Sequence, residues 1–246
     1  MKVMDKNVCF GLIVATRGFF NPVLAGTARK ELLELLDELS IEYVIGSENA
    51  TPHGTVETLE HAKIYAKLFR ENAERIDGVL VILPNFGDEL GVVQTLDMAK
   101  LNVPVLVQAC KDELDKVGVF SRRDAFCGKL SVCNNLYQYN IPFTDTTFHT
   151  CDIKSQAFRD DLDRFSRICR TVKGLTNARI GAIGARPAAF QTVRYSEKLL
   201  QSSGITIVPV DLSEIFAAAK AFDDNAAQVQ EKLDAIRAYG TIPAKF

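Results

Sequence analysis

Missing from these 246 residues are a basic run, a membrane-length apolar stretch and a paired-cysteine motif, and each absence removes a class of function. No Lys/Arg cluster is interleaved with aromatics, the net charge is −2 and the pI is near 6.0. Such a surface offers phosphate backbones nothing, so nucleic acid is excluded as a partner. The longest apolar runs, Val8–Ala15 and Gly78–Pro84, fall far short of the ~20 residues that a bilayer requires, so no membrane partner is expected. The start, MKVMDKNVCFGLIVA, has no small-residue cleavage site after its apolar patch and leads straight into a domain strand. It does not read as a secretion signal, and the expected compartment is the cytoplasm. Cys9, Cys110, Cys127, Cys133, Cys151 and Cys169 include no CxxC pair. In a chain of this length they make no disulfide framework and are expected as reduced thiols.

Ready-made reactive sets are also missing. His53, His61 and His149 are far apart, with no His/Asp/Glu group at metal-ligand spacing. No Ser-His-Asp or Cys-His arrangement stands out, and Cys127 and Cys133 are nucleophile candidates by location alone. Gly181-x-x-Gly184-x-Arg186 lacks the GxGxxG register and has no lysine at P-loop spacing, so it is a phosphate loop only in outline. A flavin or nucleotide protein would need a phosphate-cradling loop after its first strand, and Arg17-Gly18-Phe19-Phe20 is poor in the Ser, Thr and Gly such a loop uses.

What is present is a soluble-protein balance of 47% apolar and 24% charged residues, and an alternation of apolar runs with helical periods. Val8–Ala15 reads as a strand buried on both faces of a parallel sheet. Asn21-Pro22, a cap followed by proline in the first turn, opens a helix with Leu24, Leu32, Leu35, Leu36 and Leu39. Strands follow at Tyr43–Ile45, Gly78–Leu83 and Pro104–Ala109, with helices over Thr55–Arg75 and Glu89–Lys100. A second unit is expected to open with a helix over Ser155–Thr171. It continues with strands Arg179–Ile183 and Thr206–Val210, a helix over Thr192–Ser202 and, after the cap signal Asp211-Leu212-Ser213, helices over Ile215–Phe222 and Asn225–Tyr239. The predicted fold class is therefore α/β, two Rossmann-like parallel-sheet units over residues 1–152 and 153–246. The second is incomplete, because Thr241–Phe246 supplies no third strand; a chain cut short is the favoured expectation.

In such sheets ligands gather where loops leave the carboxyl ends of strands. The loop after the first strand carries Arg17 and Phe19; Arg17 is a multi-donor contact for sugar hydroxyls or a carboxylate, or else a solvated loop arginine. The loop after the third carries Asn85 and Asp88, polyol contacts or a helix cap with its acidic first turn. Phe126–Phe143, FCGKLSVCNNLYQYNIPF, is dense in amides and phenols. Asn134, Asn135, Gln138 and Tyr139 suit a neutral polyol, whose hydroxyls both donate and accept, and suit equally a hydrogen-bonded interface. Arg186 lies in the glycine-containing loop of the second unit.

Three ordered stretches carry a family resemblance: Gly78–Glu89, Arg123–Tyr139, and Arg179–Phe190 followed by Thr192–Glu197. They resemble the L-fucose/L-arabinose isomerase superfamily, most closely its L-fucose isomerase-like members. The resemblance implies a multidomain aldose–ketose isomerase with two Rossmann-like domains and a β-rich third. It implies a divalent metal, usually Mn²⁺, on acidic residues and a histidine beyond the end of this chain, so no metal ligand or cofactor is assigned here. It also implies a homo-oligomer in which the loop after the first strand, here Thr16–Phe19, contributes to a neighbour's sugar pocket. Together with the loop and helix residues read above, the substrate-side candidates are Arg17, Phe19, Asn85, Asp88, Asn134, Asn135, Gln138 and Arg186, with no catalytic residue. The chain is expected to supply subunit contacts and part of the sugar pocket and to be inactive alone. The alternative is a stand-alone carbohydrate-binding or interaction module without catalysis.

Overall fold

The computed structural model describes residues 8–240; expectations placed on the first seven residues and on Thr241–Phe246 lie outside it. The chain forms two compact units that divide between Gly174 and Leu175.

The first unit is a five-stranded parallel sheet in the order β2-β1-β3-β4-β5. Its strands are β1 (Cys9–Val14), β2 (Glu42–Val44), β3 (Gly78–Leu83), β4 (Val105–Ala109) and β5 (Thr144–Asp145). Registers such as Leu12 with Leu80 and Val81 with Val107 align the central strands, in which every residue is buried. Burial on both faces requires a helical layer on each side, and the side chains alternate between the two. Leu12, Leu80, Ile82 and Leu106 face α1 (Pro22–Glu38) and α5 (Gln156–Thr176). Ile13, Val79, Val81 and Val107 face α2 (Leu59–Glu71), α3 (Glu89–Ala99) and α4 (Ala125–Gln138).

The caps were legible. Asn21 Oδ1 accepts from Val23 N at 3.0 Å with Pro22 opening α1, and Asp88 Oδ1 accepts from Gly91 N at 2.7 Å to open α3. Three expectations change. The helix anticipated over Thr55–Arg75 begins only at Leu59, because Val56 is spent on a parallel bridge with Ala15. The sheet gains a fifth strand at Thr144–Asp145. The helix after Ser155, expected in the second unit, belongs to the first: Phe158, Leu162, Phe165 and Cys169 fill its core, and Phe165 lies 5.4 Å from Phe10. This packing places the division at Gly174/Leu175 rather than at 152/153.

The second unit pairs β6 (Arg179–Ile183) with β7 (Thr206–Val210) in parallel, Gly181 opposite Val208. Its helices are α6 (Glu197–Ser202), α7 (Leu212–Ala221) and α8 (Ala227–Tyr239). The expected Asp211 signal is a full capping box: its side chain accepts from Ser213 N at 2.7 Å while Glu214 accepts from Asp211 N at 3.4 Å. No described residue after Gly174 is buried.

Candidate functional site

With β1 and β3 adjacent and their crossovers leading to opposite sides, the order 2-1-3-4-5 has its switch point between these strands, where doubly wound sheets open a crevice. Two loops meet there, Thr16–Phe20 after β1 and Pro84–Asp88 after β3. The Arg17 guanidinium lies 4.7 Å above the Phe86 ring, and its Nε is 3.9 Å from Asp88 Oδ2. Phe86 stacks on Phe20 at 6.0 Å, Phe19 meets Phe20 edge-on at 5.9 Å, and the Arg122 guanidinium stands 5.9 Å from the far ring. The result is a ladder of two arginines and two phenylalanines, in which each cation is held to an aromatic face by the ring quadrupole.

The ladder is built on rigid backbone. Asn85 is fully buried; its Nδ2 donates to Thr16 Oγ1 at 2.9 Å and its Oδ1 accepts from Gly87 N at 3.0 Å. Both ends of its amide are used, so Asn85 joins the two loops and positions Phe86 instead of facing solvent. Arg123 donates to the Pro84 carbonyl at 3.0 Å, and Asp112 Oδ1 accepts from Arg123 N and Asp124 N at 3.0 and 3.1 Å. From the other side α4 comes so close that a methyl group on Gly128 would overlap the Phe86 carbonyl. Phe86, Arg122, Arg123 and Asp112 were not singled out in the sequence; the Asn85-Phe86 neighbourhood was the signal that could have found the first.

The family described as fucose/sulfoquinovose isomerase, N-terminal domain, matches residues 11–176, which include this whole edge. The chain belongs to that family. Sulfoquinovose isomerases of Priestia aryabhattai and Priestia megaterium are each 28% identical to it over 204 residues, 82% of this chain and 44% of theirs. The chain thus spans less than half the length of the curated relatives it matches. Among solved structures, a 2,3-dimethylmalate lyase of the PEP mutase/isocitrate lyase superfamily covers 95% of this chain and 93% of its own at 10% identity. Its TM-score is 0.28, too slight a likeness to bear on the fold or the site.

In this fucose/sulfoquinovose isomerase domain the candidates do not all converge. Arg17, Phe19, Asn85 and Asp88 share the carboxyl edge. Asn134, Asn135 and Gln138 sit in the carboxyl-terminal half of α4, roughly 14 to 20 Å along the helix axis from its first residue. There Gln138 bonds to Asn134 at 2.7 Å, and Tyr139 accepts from Gln94 at 3.0 Å. The amide-rich stretch forms an amphipathic helix, burying Ala125, Gly128, Lys129, Val132 and Leu136. Lys129 is buried because three partners meet its ammonium: Thr146 Oγ1 at 2.7 Å, the His149 carbonyl at 3.0 Å and the Asp145 carboxylate. Arg186, in the second unit, curls onto its own loop, with Nη1 donating to the carbonyls of Pro187, Ala188 and Phe190 at 2.9 to 3.1 Å.

The six cysteines are unpaired. Burial pushes the thiols of Cys110 and Cys133 up to about 11 and that of Cys169 up to about 12, which denies them thiolate reactivity at neutral pH. Among the described residues no three His, Cys, Asp or Glu side chains come together to hold a metal, and no helix is long and apolar enough to cross a membrane.

Proposed function

We propose that this chain is the amino-terminal portion of a metal-dependent aldose–ketose isomerase of the fucose/sulfoquinovose type, contributing one wall of the sugar pocket and contacts between subunits of a homo-oligomer. The observation that carries the reading is the Arg17–Phe86 pair at the switch point, with an aromatic face beneath and Asp88 beside it. An aldose presents hydroxyls to a guanidinium, so an arginine held in place over a phenylalanine ring, with donors to spare, suits its edge. The whole enzyme would move hydrogen between C1 and C2 of the open-chain sugar, and a divalent metal held outside this chain would supply Lewis-acid chemistry for that transfer. No residue of this chain is given a step in that transfer; its share is to bind and orient.

Subunit contacts find support in the apolar side chains that crown the same edge. Phe19, Leu114, Val117 and Phe120 are all exposed, Leu114 at 96%, an arrangement that covering by protein would stabilise. The uncovered β6–β7 sheet counts against a self-sufficient binding module, which would cover its own sheet. A reducing cytoplasmic setting fits the unpaired thiols.

The test is to supply the purified chain with Mn²⁺ and L-fucose or sulfoquinovose and follow ketose formation by proton NMR. The expected result is no ketose. Metal-dependent turnover by this chain alone would overturn the division of labour proposed here.

A further inference from the structure

Glu57 stands one residue before Thr58, the cap of α2, at the end of a segment that the fold carries to the first strand. Val56 N donates to Val14 O at 2.8 Å and Thr16 N to Val56 O at 3.0 Å, extending the sheet by one bridge beyond β1. A buried polar knot holds this segment from behind. Tyr65 donates to the Gly54 carbonyl at 2.6 Å, Thr51 to the Thr55 carbonyl at 2.6 Å and Arg29 to the Gly46 carbonyl at 2.9 Å.

Glu57 therefore emerges against the loop of Arg17. A methyl group on Gly18 would run into the Glu57 carboxylate, and one on Gly91 would lie 3.3 Å from the Glu57 carbonyl oxygen. The residue is wedged between the loop that carries Arg17 and the helix turn that Asp88 caps. It is half-buried, yet its carboxylate has no hydrogen bond or ion pair with any described residue. Arg17 has spare capacity too, because its acidic neighbour Asp88 lies at 3.9 Å, beyond hydrogen-bond reach.

A guanidinium with donors to spare and a carboxylate with acceptors to spare, on adjoining positions of one edge, are complementary to vicinal hydroxyls. Each hydroxyl can accept from the arginine and donate to the carboxylate, and both bonds are charge-assisted. Glu57 and Asp88 both bring negative charge beside Arg17, so a sulfonate placed at Arg17 would meet two like charges, whereas a diol adds none. We infer that Glu57 is the acceptor partner of Arg17 in a subsite for a neutral vicinal diol, and that it biases this wall toward the hydroxyl-bearing part of an aldose and against an anionic substituent. This rests on the sugar-wall reading above.

The experiment is an NMR titration of the ¹⁵N-labelled chain with L-fucose and with sulfoquinovose, each to about 100 mM, a range that detects millimolar or weaker binding. The amides of Gly18, Gly87 and Gly91 and the Arg17 side chain are followed in wild type, Glu57→Ala, Glu57→Gln and Arg17→Ala. L-fucose is expected to shift these signals. Glu57→Ala should weaken it about tenfold, the fold-change of one lost charge-assisted hydrogen bond. Glu57→Gln should weaken L-fucose less and narrow its advantage over the sulfonated sugar, a change of selectivity that a merely structural role would not produce. The isosteric glutamine also carries the test if the alanine variant does not fold. If both Glu57 variants titrate like wild type while Arg17→Ala abolishes the shifts, the inference about Glu57 falls and the sugar wall stands. If neither sugar shifts wild type, the wall reading falls and Glu57 with it.

Discussion

Both units contain parallel strands of similar apolar character, CFGLIV and GVLVIL in the first and RIGAI and TIVPV in the second, yet their fates differ. Every residue of β1 and β3 is buried; none of β6 or β7 is. The difference lies in what covers the strands. In the first unit five helices sandwich five strands; in the second, α6, α7 and α8 bury no residue at all. A strand's apolar pattern states a requirement for two covering layers, and the rest of the chain decides whether that requirement is met.

The comparison can be broken most decisively by moving the chain's end. A chain of residues 1–177 keeps α5 and is expected to retain a cooperative thermal transition, while one of residues 1–152 loses it; equal melting of the two would show that α5 does not belong to the first core. Next in size, Phe165→Ala should cost about 3–5 kcal/mol in denaturant titrations, as a ring removed from a packed core does. Phe216→Ala in α7, where the ring is 60% exposed, should stay within about 0.5 kcal/mol.

Alkaline titration separates the units by a different route, because all six cysteines precede Leu175. Cys110 has a folded-state pKa of about 11 against 9.0 unfolded, so its contribution is intact below pH 9 and is lost as pH rises through 11. For this buried thiol the loss is about 2–3 kcal/mol, and Cys110→Ala should flatten that limb of the stability curve. The smallest contrast uses glycine. Gly128→Ala drives a methyl group into the Phe86 backbone and should cost about 1–3 kcal/mol, with amide shifts along Pro84–Asp88. Gly181→Ala meets nothing within 4 Å and should change stability by less than about 0.5 kcal/mol.

Much of the fold was legible because its signals are local. Continuous apolar runs marked β1, β3 and β4, and Asn21, Asp88 and Asp211 announced their helices by the chemistry of the cap. The illegible parts depend on partners distant in sequence. β5 is two polar residues that count as a strand only because Leu106 and Val107 lie beside them. The apolar stripe of α5 says that one face must be covered, not which sheet covers it. At the site, Arg17 and Asp88 could be placed from strand ends alone. The burial of Asn85 could not, since its amide is satisfied by Thr16, 69 residues away. Nor could the arrival of Glu57, which depends on a bridge between Val56 and the end of β1.

The contact of Phe10 with Phe165 also has a consequence in time. During synthesis β1 leaves the ribosome first, while the helix that seals this face of the sheet follows roughly 150 residues later. At about 5–20 residues per second, Phe10 and Leu12 wait on the order of 7–30 s for Phe158, Leu162 and Phe165, and Leu80 and Ile82 about half as long. For that interval the nascent chain presents an apolar surface already organised by strand pairing and shielded on this side by α1 alone, a natural holding point for a chaperone and the stage at which neighbouring nascent chains most readily stick together.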